Sequence, residues 1–459
     1  YTTLFRSSLV GGWFPAAAFA VIAVLSVTLL VSAAVSKRDG RILATVLPIG
    51  VAAVSGMVGY VVAWLLSDVF VVFGVGLGSR VMSWVAAGFA IAGFAIVHIV
   101  LSRGMMRVAA AILTVFAILA AAIGIDQSYG EYATIGSLFG EDSYSQADLT
   151  GLAKRKDLIT VAQWRKQAAN GTIRNIPANG TVNKIDIPAT KSQFEARKAL
   201  VYLPPAALAD SKRKPALPVV LMLSGQPGSP GRVFQAGGIQ TMMDGYAKTH
   251  DGLAPIVIAA DQLGADSHNT LCVDSKVYGN ALTYLTQDVV DWVKTNLPAA
   301  QDAKDWAIAG FSQGATCSLQ IGVNHPDLFG TMIPTDSEIK PTNGSRQEMI
   351  DRFFDGDTTA YENQVPVNAI RNHAPTHQML IIGAGEKDTT SIRNVKTIAP
   401  VAAKAGMRVA AVESSGNAHD WHAVQDVLRY GLAVFGHDTG LDGANPNLSD
   451  YPNLKRITI

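Results

Sequence analysis

The sequence predicts two unlike parts: an α-helical transmembrane region of four spans, then an α/β domain with a mostly parallel sheet and helices on both faces. Three observations predict this. Four apolar runs of bilayer-spanning length occupy the first 125 residues. From residue 182 onward, short apolar runs of strand type alternate with stretches of helical length and period. Between one such run and one such stretch stands Gly310-Phe311-Ser312-Gln313-Gly314.

The four runs cover residues 14–35, 42–66, 81–101 and 108–125. Each is near the length of about 20 residues that crosses a bilayer. They lack the polar face that a helix of a soluble bundle shows. A cleaved signal peptide accounts for the first run but not for the next three. The first 124 residues hold seven Lys or Arg and two acids, a formal +5, which leaves −4 for the rest of a chain of net +1. No basic stripe points to nucleic acid.

Orientation follows from the short loops. Lys37, Arg38 and Arg41 follow the first run, and Arg103 and Arg107 follow the third. The loop between the second and third has one Asp and one Arg at its ends, Asp68 and Arg80. The positive-inside rule therefore places the first and third connections in the cytoplasm, and both termini and the α/β domain outside. His98 lies within the third span, where a neutral, hydrogen-bonded imidazole near the membrane edge is the simplest reading. Gly74-Val75-Gly76-Leu77-Gly78 has no preceding strand and no Walker lysine, so it reads as a flexible connector.

Residues 126–181 are mixed and polar and read as linker and edge structure, with a short helix at 163–169. Asn170-Gly171-Thr172 and Asn179-Gly180-Thr181 match a glycosylation sequon but read more simply as turns. The catalytic domain is expected at 182–438 and a Gly-, Asn- and Pro-rich tail at 439–459. Strands are expected at 184–187, 199–203, 217–223, 255–260, 306–309, 331–334, 378–382 and 408–412. Helices are expected between them at 238–250, 280–297, 315–324, 392–405 and 423–435. Sites in such sheets lie at the carboxyl ends of the strands.

Gly-x-Ser-x-Gly between a strand and a helix is the pattern of a sharp turn that lifts a serine hydroxyl above a sheet. A serine needs a base, and the base needs an orienting carboxylate. In this arrangement the chain order is Ser, acid, His. After the strand at 378–382 comes Gly383-Ala384-Gly385-Glu386-Lys387-Asp388, which offers Asp388 and, as an alternative acid, Glu386. His419 lies in the turn before the last helix, where the base belongs. His422 begins that helix as an exposed or supporting residue. No third ligand of zinc-like spacing joins these two histidines, so no metal is expected, and no cofactor motif is present. The oxyanion of an acyl-transfer intermediate needs backbone donors. Gln313 N–H supplies one, and Gln226 N–H supplies another, because Pro227 has none.

Val201-Tyr202-Leu203-Pro204-Pro205, the Gly-Phe-Ser-Gln-Gly turn, His325-Pro326-Asp327-Leu328-Phe329 and His419-Asp420-Trp421 resemble the esterase D-like α/β-hydrolases. That family includes the secreted mycolyltransferases of actinobacterial envelopes. The resemblance spans about residues 182–436. It implies Ser312 as nucleophile, Asp388 or Glu386 as acid, His419 as base, and Gln226 and Gln313 as oxyanion donors. The chain departs from the secreted mycolyltransferases in its four spans, and it has Ser224-Gly225-Gln226 where they carry a Leu after an Asp-Gly.

Cys272 follows one strand run, and Cys317 lies five residues past Ser312. On the outer side of a membrane they are candidates for a disulfide. As separate thiols they would serve as small buried apolar groups. The expected activity is that of a membrane-anchored serine esterase acting on an envelope lipid or glycolipid ester, with an aminoacyl phospholipid among the candidates. Acyl transfer to a sugar or lipid alcohol would use the same residues. A ligand-sensing domain on an anchor is the non-enzymatic alternative, and the ordered set of catalytic residues argues against it. The expected partners are the ester substrate and membrane lipids.

Overall fold

The computed structural model describes residues 2–35, 41–70, 77–132, 134–139, 144–153, 155–173, 175–211 and 213–459. Lys37 and Arg38 of the first charged loop, and Gly74-Val75-Gly76 of the glycine connector, lie outside the described residues. The chain divides near Asp142 into two compact units.

The first unit holds four long helices: α1 Trp13–Val35, α2 Arg41–Trp64, α3 Gly78–Leu101 and α4 Met105–Tyr129. A π turn, Leu65–Val69, extends α2. The apolar helical spans are 23 to 25 residues long. At about 1.5 Å per residue, that length exceeds a hydrocarbon core of roughly 30 Å. Their outward faces carry Val24, Val31, Met57, Val100 and Ile118, all exposed, as lipid-facing positions would be. Hydroxyls within the helices bond to their own backbone: Thr28 Oγ1 donates to Val24 O (2.7 Å) and Thr114 Oγ1 to Ala110 O (3.1 Å). Small residues set the packing. A Cβ built on Gly88 would fall 2.8 Å from Ala121 Cβ, and one on Gly124 would fall 2.1 Å from the Trp84 ring. His98 is buried against Phe94, with ring centroids 4.6 Å apart, and its Nε2 has no hydrogen-bond partner among the described residues.

Ten strands form the sheet of the second unit: β1 Ser145–Gln146, β2 Thr181–Ile185, β3 Ala199–Leu203, β4 Val219–Leu223, β5 Ile256–Ala259, β6 Trp306–Phe311, β7 Thr331–Thr335, β8 Met379–Gly385, β9 Arg408–Ser414 and β10 Leu454–Arg456. Their spatial order is β1-β2-β3-β5-β4-β6-β7-β8-β9-β10. The run from β5 to β9 is parallel, and β10 closes that edge antiparallel. The central strands are apolar along both faces because helices cover both. In β4, Val219, Leu221 and Leu223 enter one core, while Val220 and Met222 enter the other. That is the alternation a pleated strand imposes.

Nine helices that bear on the site or on these cores are α5 Val161–Ala169, α6 Pro230–Ala236, α7 Ile239–Lys248, α8 Val289–Asn296, α9 Gln313–Asn324, α10 Arg346–Phe353, α11 Pro366–Asn372, α12 Thr389–Lys404 and α13 Trp421–Asp438. Helices α8, α9 and α12 pack on the first face, and α6, α7 and α13 on the second. The residues read as linker and edge structure supply the edge strand β1, which pairs with β2, and Trp164 of α5, which is fully buried in the first core. The tail supplies β10. Helices α6, α10 and α11 were not expected.

The parallel register aligns Leu223 with Gly310, Phe311 with Thr335, and Gly385 with Ser414. The segments after these strands therefore emerge along one edge. Above that edge a smaller apolar cluster joins Leu271 and Val273, after β5, to Met349, Ile350 and Phe353 of α10.

Candidate active site

Strand β6 ends at Phe311, and Ser312 turns the chain into α9 with φ 55° and ψ −117°. A residue with a Cβ rarely holds a positive φ, and the strain is of order 1–3 kcal/mol. The surroundings enforce it. Ser312 N–H donates to Thr335 O (3.0 Å), and Ser312 O accepts from Thr316 N–H (3.0 Å). The two motif glycines are sterically required. A Cβ on Gly310 would meet Gly314 O at 2.2 Å, and one on Gly314 would meet Ser224 O at 2.3 Å.

After β4, the segment Ser224-Gly225-Gln226 passes Ser312: a Cβ on Gly225 would lie 3.6 Å from Ser312 Cβ. Neither the Gln226 nor the Gln313 main-chain N–H enters a backbone hydrogen bond among the described residues. Gln313 also opens α9, where the helix presents unused donors and positive potential. Two anchors, the buried Gln262 and the half-buried Arg197, fix the surrounding loops. Gln262, after β5, donates from Nε2 to Ser224 O (2.7 Å) and to Gln313 Oε1 (3.2 Å). Arg197 donates to Gly228 O (2.9 Å) while paired with buried Asp261 (2.8 Å) and with Asp266. The sequence reading missed Arg197, Asp261 and Gln262. Nothing in their spacing marks them, since they act through segments far away in the chain.

Asp388 follows β8 and caps α12. Its Oδ1 accepts from Thr390 N–H (3.2 Å) and Ser391 N–H (3.0 Å), and its Oδ2 accepts from Ser391 Oγ (2.6 Å). His419 lies in the turn between β9 and α13. That turn is held to the β8–α12 turn: Lys387 N–H donates to Asn417 O (2.8 Å), and Gly416 N–H donates to Glu386 Oε2 (2.7 Å). One ring nitrogen of His419, one carboxylate oxygen of Asp388 and one of Asp336 all lie within 4.8 Å of one another.

Glu386, the alternative acid, stands outside this group. It is bound to Lys455 (2.9 Å) and to Gly416 N–H. The Lys455 ammonium, followed by the Gly416 N–H, holds its carboxyl below the usual carboxylate range. His422 is half-buried in the first turn of α13.

Asp336 was not among the sequence candidates. It follows β7, is fully buried and has φ 55°. The rule that found Asp388, an acid just past an apolar strand run, applies equally to Thr331-Met332-Ile333-Pro334-Thr335-Asp336. Two carboxylates and an imidazole form a donor set that a cation can accept. Here both oxygens of Asp388 already hold helix-terminal donors, an arrangement suited to an anion facing an imidazolium. Cys272 and Cys317 are joined in a disulfide with Cα atoms 5.7 Å apart, tying the loop after β5 to α9.

A family profile described as "Putative esterase" matches residues 191–431, more than half of the chain. An uncharacterized protein of Corynebacterium glutamicum is 32% identical over 333 residues, covering 71% of this chain and 74% of that protein. Among solved structures, an S-formylglutathione hydrolase from Agrobacterium tumefaciens matches with a TM-score of 0.47 and 16% identity, over 58% of this chain and 98% of its own. A ferulic acid esterase matches with a TM-score of 0.45 and 16% identity, over 57% and 99%. MPT51 of Mycobacterium tuberculosis matches with a TM-score of 0.41 and 13% identity, over 56% and 98%. The chain belongs to the putative esterase family: it is an ester hydrolase of the α/β-hydrolase fold, with four apolar helices of membrane-spanning length ahead of its catalytic domain.

Proposed function

We propose that the protein is a membrane-anchored serine esterase whose catalytic domain faces outward and cleaves an acyl ester of an envelope lipid or glycolipid, an aminoacyl phospholipid being one candidate. The observation that carries the chemistry is Ser312, strained to φ 55° at the carboxyl end of β6. Ser312 Oγ attacks the ester carbonyl and passes its proton to His419. Asp388 orients the imidazole and faces the imidazolium that forms. The N–H groups of Gln226 and Gln313 receive the oxyanion. His419 then gives the proton to the departing alcohol oxygen as the C–O bond breaks, leaving the acyl group on Ser312. Water repeats the sequence and releases the acid.

The four apolar helices support the choice of a lipid ester, because a tether keeps the catalytic serine near membrane-borne substrates. The cationic loops, Arg103 and Arg107 among them, support an outward-facing domain. So does a disulfide, which persists in oxidising compartments.

Lipid profiling of a deletion strain complemented with wild type or with Ser312→Ala tests this reading. The proposal expects the same lipid ester to accumulate in the deletion and in the Ser312→Ala strain, and purified wild type to release free acid from it. An unchanged lipid profile would remove the lipid-ester assignment. Appearance of the acyl group on an added sugar or lipid alcohol, rather than as free acid, would assign transfer instead.

A further inference from the structure

The catalytic imidazole has two carboxylates beside it, not one. Asp336 and Asp388 come from the ends of adjacent strands, β7 and β8. Each brings an oxygen within 4.8 Å of the other and of a His419 nitrogen. Asp336 is held in place from several directions. Its N–H donates to Gly383 O (2.9 Å), and its Oδ1 accepts from Gly385 N–H (2.9 Å). The preceding residue, Thr335, accepts the Ser312 N–H (3.0 Å). One short segment thus joins the nucleophile's turn to the end of the strand that leads to Asp388. A positive φ at a buried, β-carbon-bearing residue is costly, and here it occurs at a residue whose carboxylate lies within 4.8 Å of a His419 ring nitrogen.

We propose that Asp336 is a second positioning carboxylate of the triad, acting with Asp388 to raise the proton affinity of His419. The inference rests on the serine esterase reading above. Two carboxylates this close repel each other when both are ionised. A proton on the imidazole relieves that repulsion, so the pair favours the imidazolium formed when Ser312 attacks. The sign follows: removing one charge lowers the pKa of His419, and the neutral, base-competent form then persists to lower pH.

Other titratable or charged groups on the segments around this histidine are Glu338 after β7, Glu386 and Lys387 on the β8–α12 turn, and Asp420, His422 and Asp426 beyond His419. Glu386 is bound to Gly416 N–H, Asp420 to Ala418 N–H and Asp426 to Ser414 Oγ. All of these remain in a variant at 336, so they cancel in the comparison.

The test is the pH profile of kcat/KM with p-nitrophenyl butyrate, on full-length protein in detergent, for wild type, Asp336→Asn, Asp388→Asn and the double variant. Asparagine keeps an oxygen acceptor for Gly385 N–H. The acidic limb of Asp336→Asn is expected to move down by about one pH unit. Asp388→Asn is expected to lose about 10²-fold, against the roughly 10⁴-fold that follows loss of a sole triad acid, and the double variant is expected to approach that larger loss. The position of the limb does not depend on the folded fraction, so partial misfolding leaves it readable. An acidic limb of Asp336→Asn that coincides with wild type overturns the proposal, as does a full 10⁴-fold loss in Asp388→Asn alone. Retained activity in Ser312→Ala would instead remove the serine esterase reading itself.

Discussion

At the scale of the residue, the site is governed by places where an added atom has nowhere to go. Gly314 is the clearest: a Cβ there would sit 2.3 Å from one main-chain oxygen and 2.6 Å from another. Gly314→Ala therefore either pushes α9 off β4 or collapses the turn at Ser312. It is expected to destabilise the domain by about 1–3 kcal/mol and to abolish fluorophosphonate labelling. A thermal melt and a labelling time course check the two effects separately. Glu386 predicts the opposite pattern, since it braces the histidine turn from outside. Glu386→Gln is expected to leave kcat/KM within about threefold of wild type. Its carboxyl is held below the usual range, so the stability it contributes is present above the unfolded-state value and lost as pH falls through the folded-state value. The gap in melting temperature between wild type and Glu386→Gln should close as pH falls through that lowered folded-state value. A gap that widens in acid would contradict this role.

At the scale of the element, much was legible, and the omissions share a cause. Strands β4 and β5 are continuous apolar runs entered from Pro218 and Pro255, β6 is one that ends in the Gly310 motif, and burial on both faces writes that pattern directly. The long spans are equally plain. Helices α6, α10 and α11 are seven or eight residues long, too short for a periodic signal to rise above loop composition. Asp336 also follows an apolar strand run, but a sequence does not show that its carboxylate is buried and stands near His419. Gln262 is similar: its function lies in contacts to Ser224 and Gln313, 38 and 51 residues away. Gln262→Ala would free the segment that carries Gln226. It is expected to lower kcat about tenfold and stability by about 1–3 kcal/mol, read from steady-state kinetics and a urea melt. The disulfide ties the same region and closes a 45-residue separation, a constraint worth about 4 kcal/mol in a chain-entropy account. Replacing both cysteines by serine should lower the melting temperature accordingly.

At the scale of the whole molecule, four lipid-length helices precede the residues, 191–431, that match the esterase family. The proposed orientation rests on the arrangement of charge along the loops. A reporter active only in the cytoplasm, fused after Ile459, should be silent in intact cells, and activity there would invert the proposed topology. The central claim, that Ser312 is the nucleophile of a membrane-anchored ester hydrolase, is tested most directly by fluorophosphonate labelling of membranes that contain the full-length protein. Wild type should take up one covalent label, and Ser312→Ala, folded and present at equal amount, should take up none. Labelling that persists in Ser312→Ala would contradict the account.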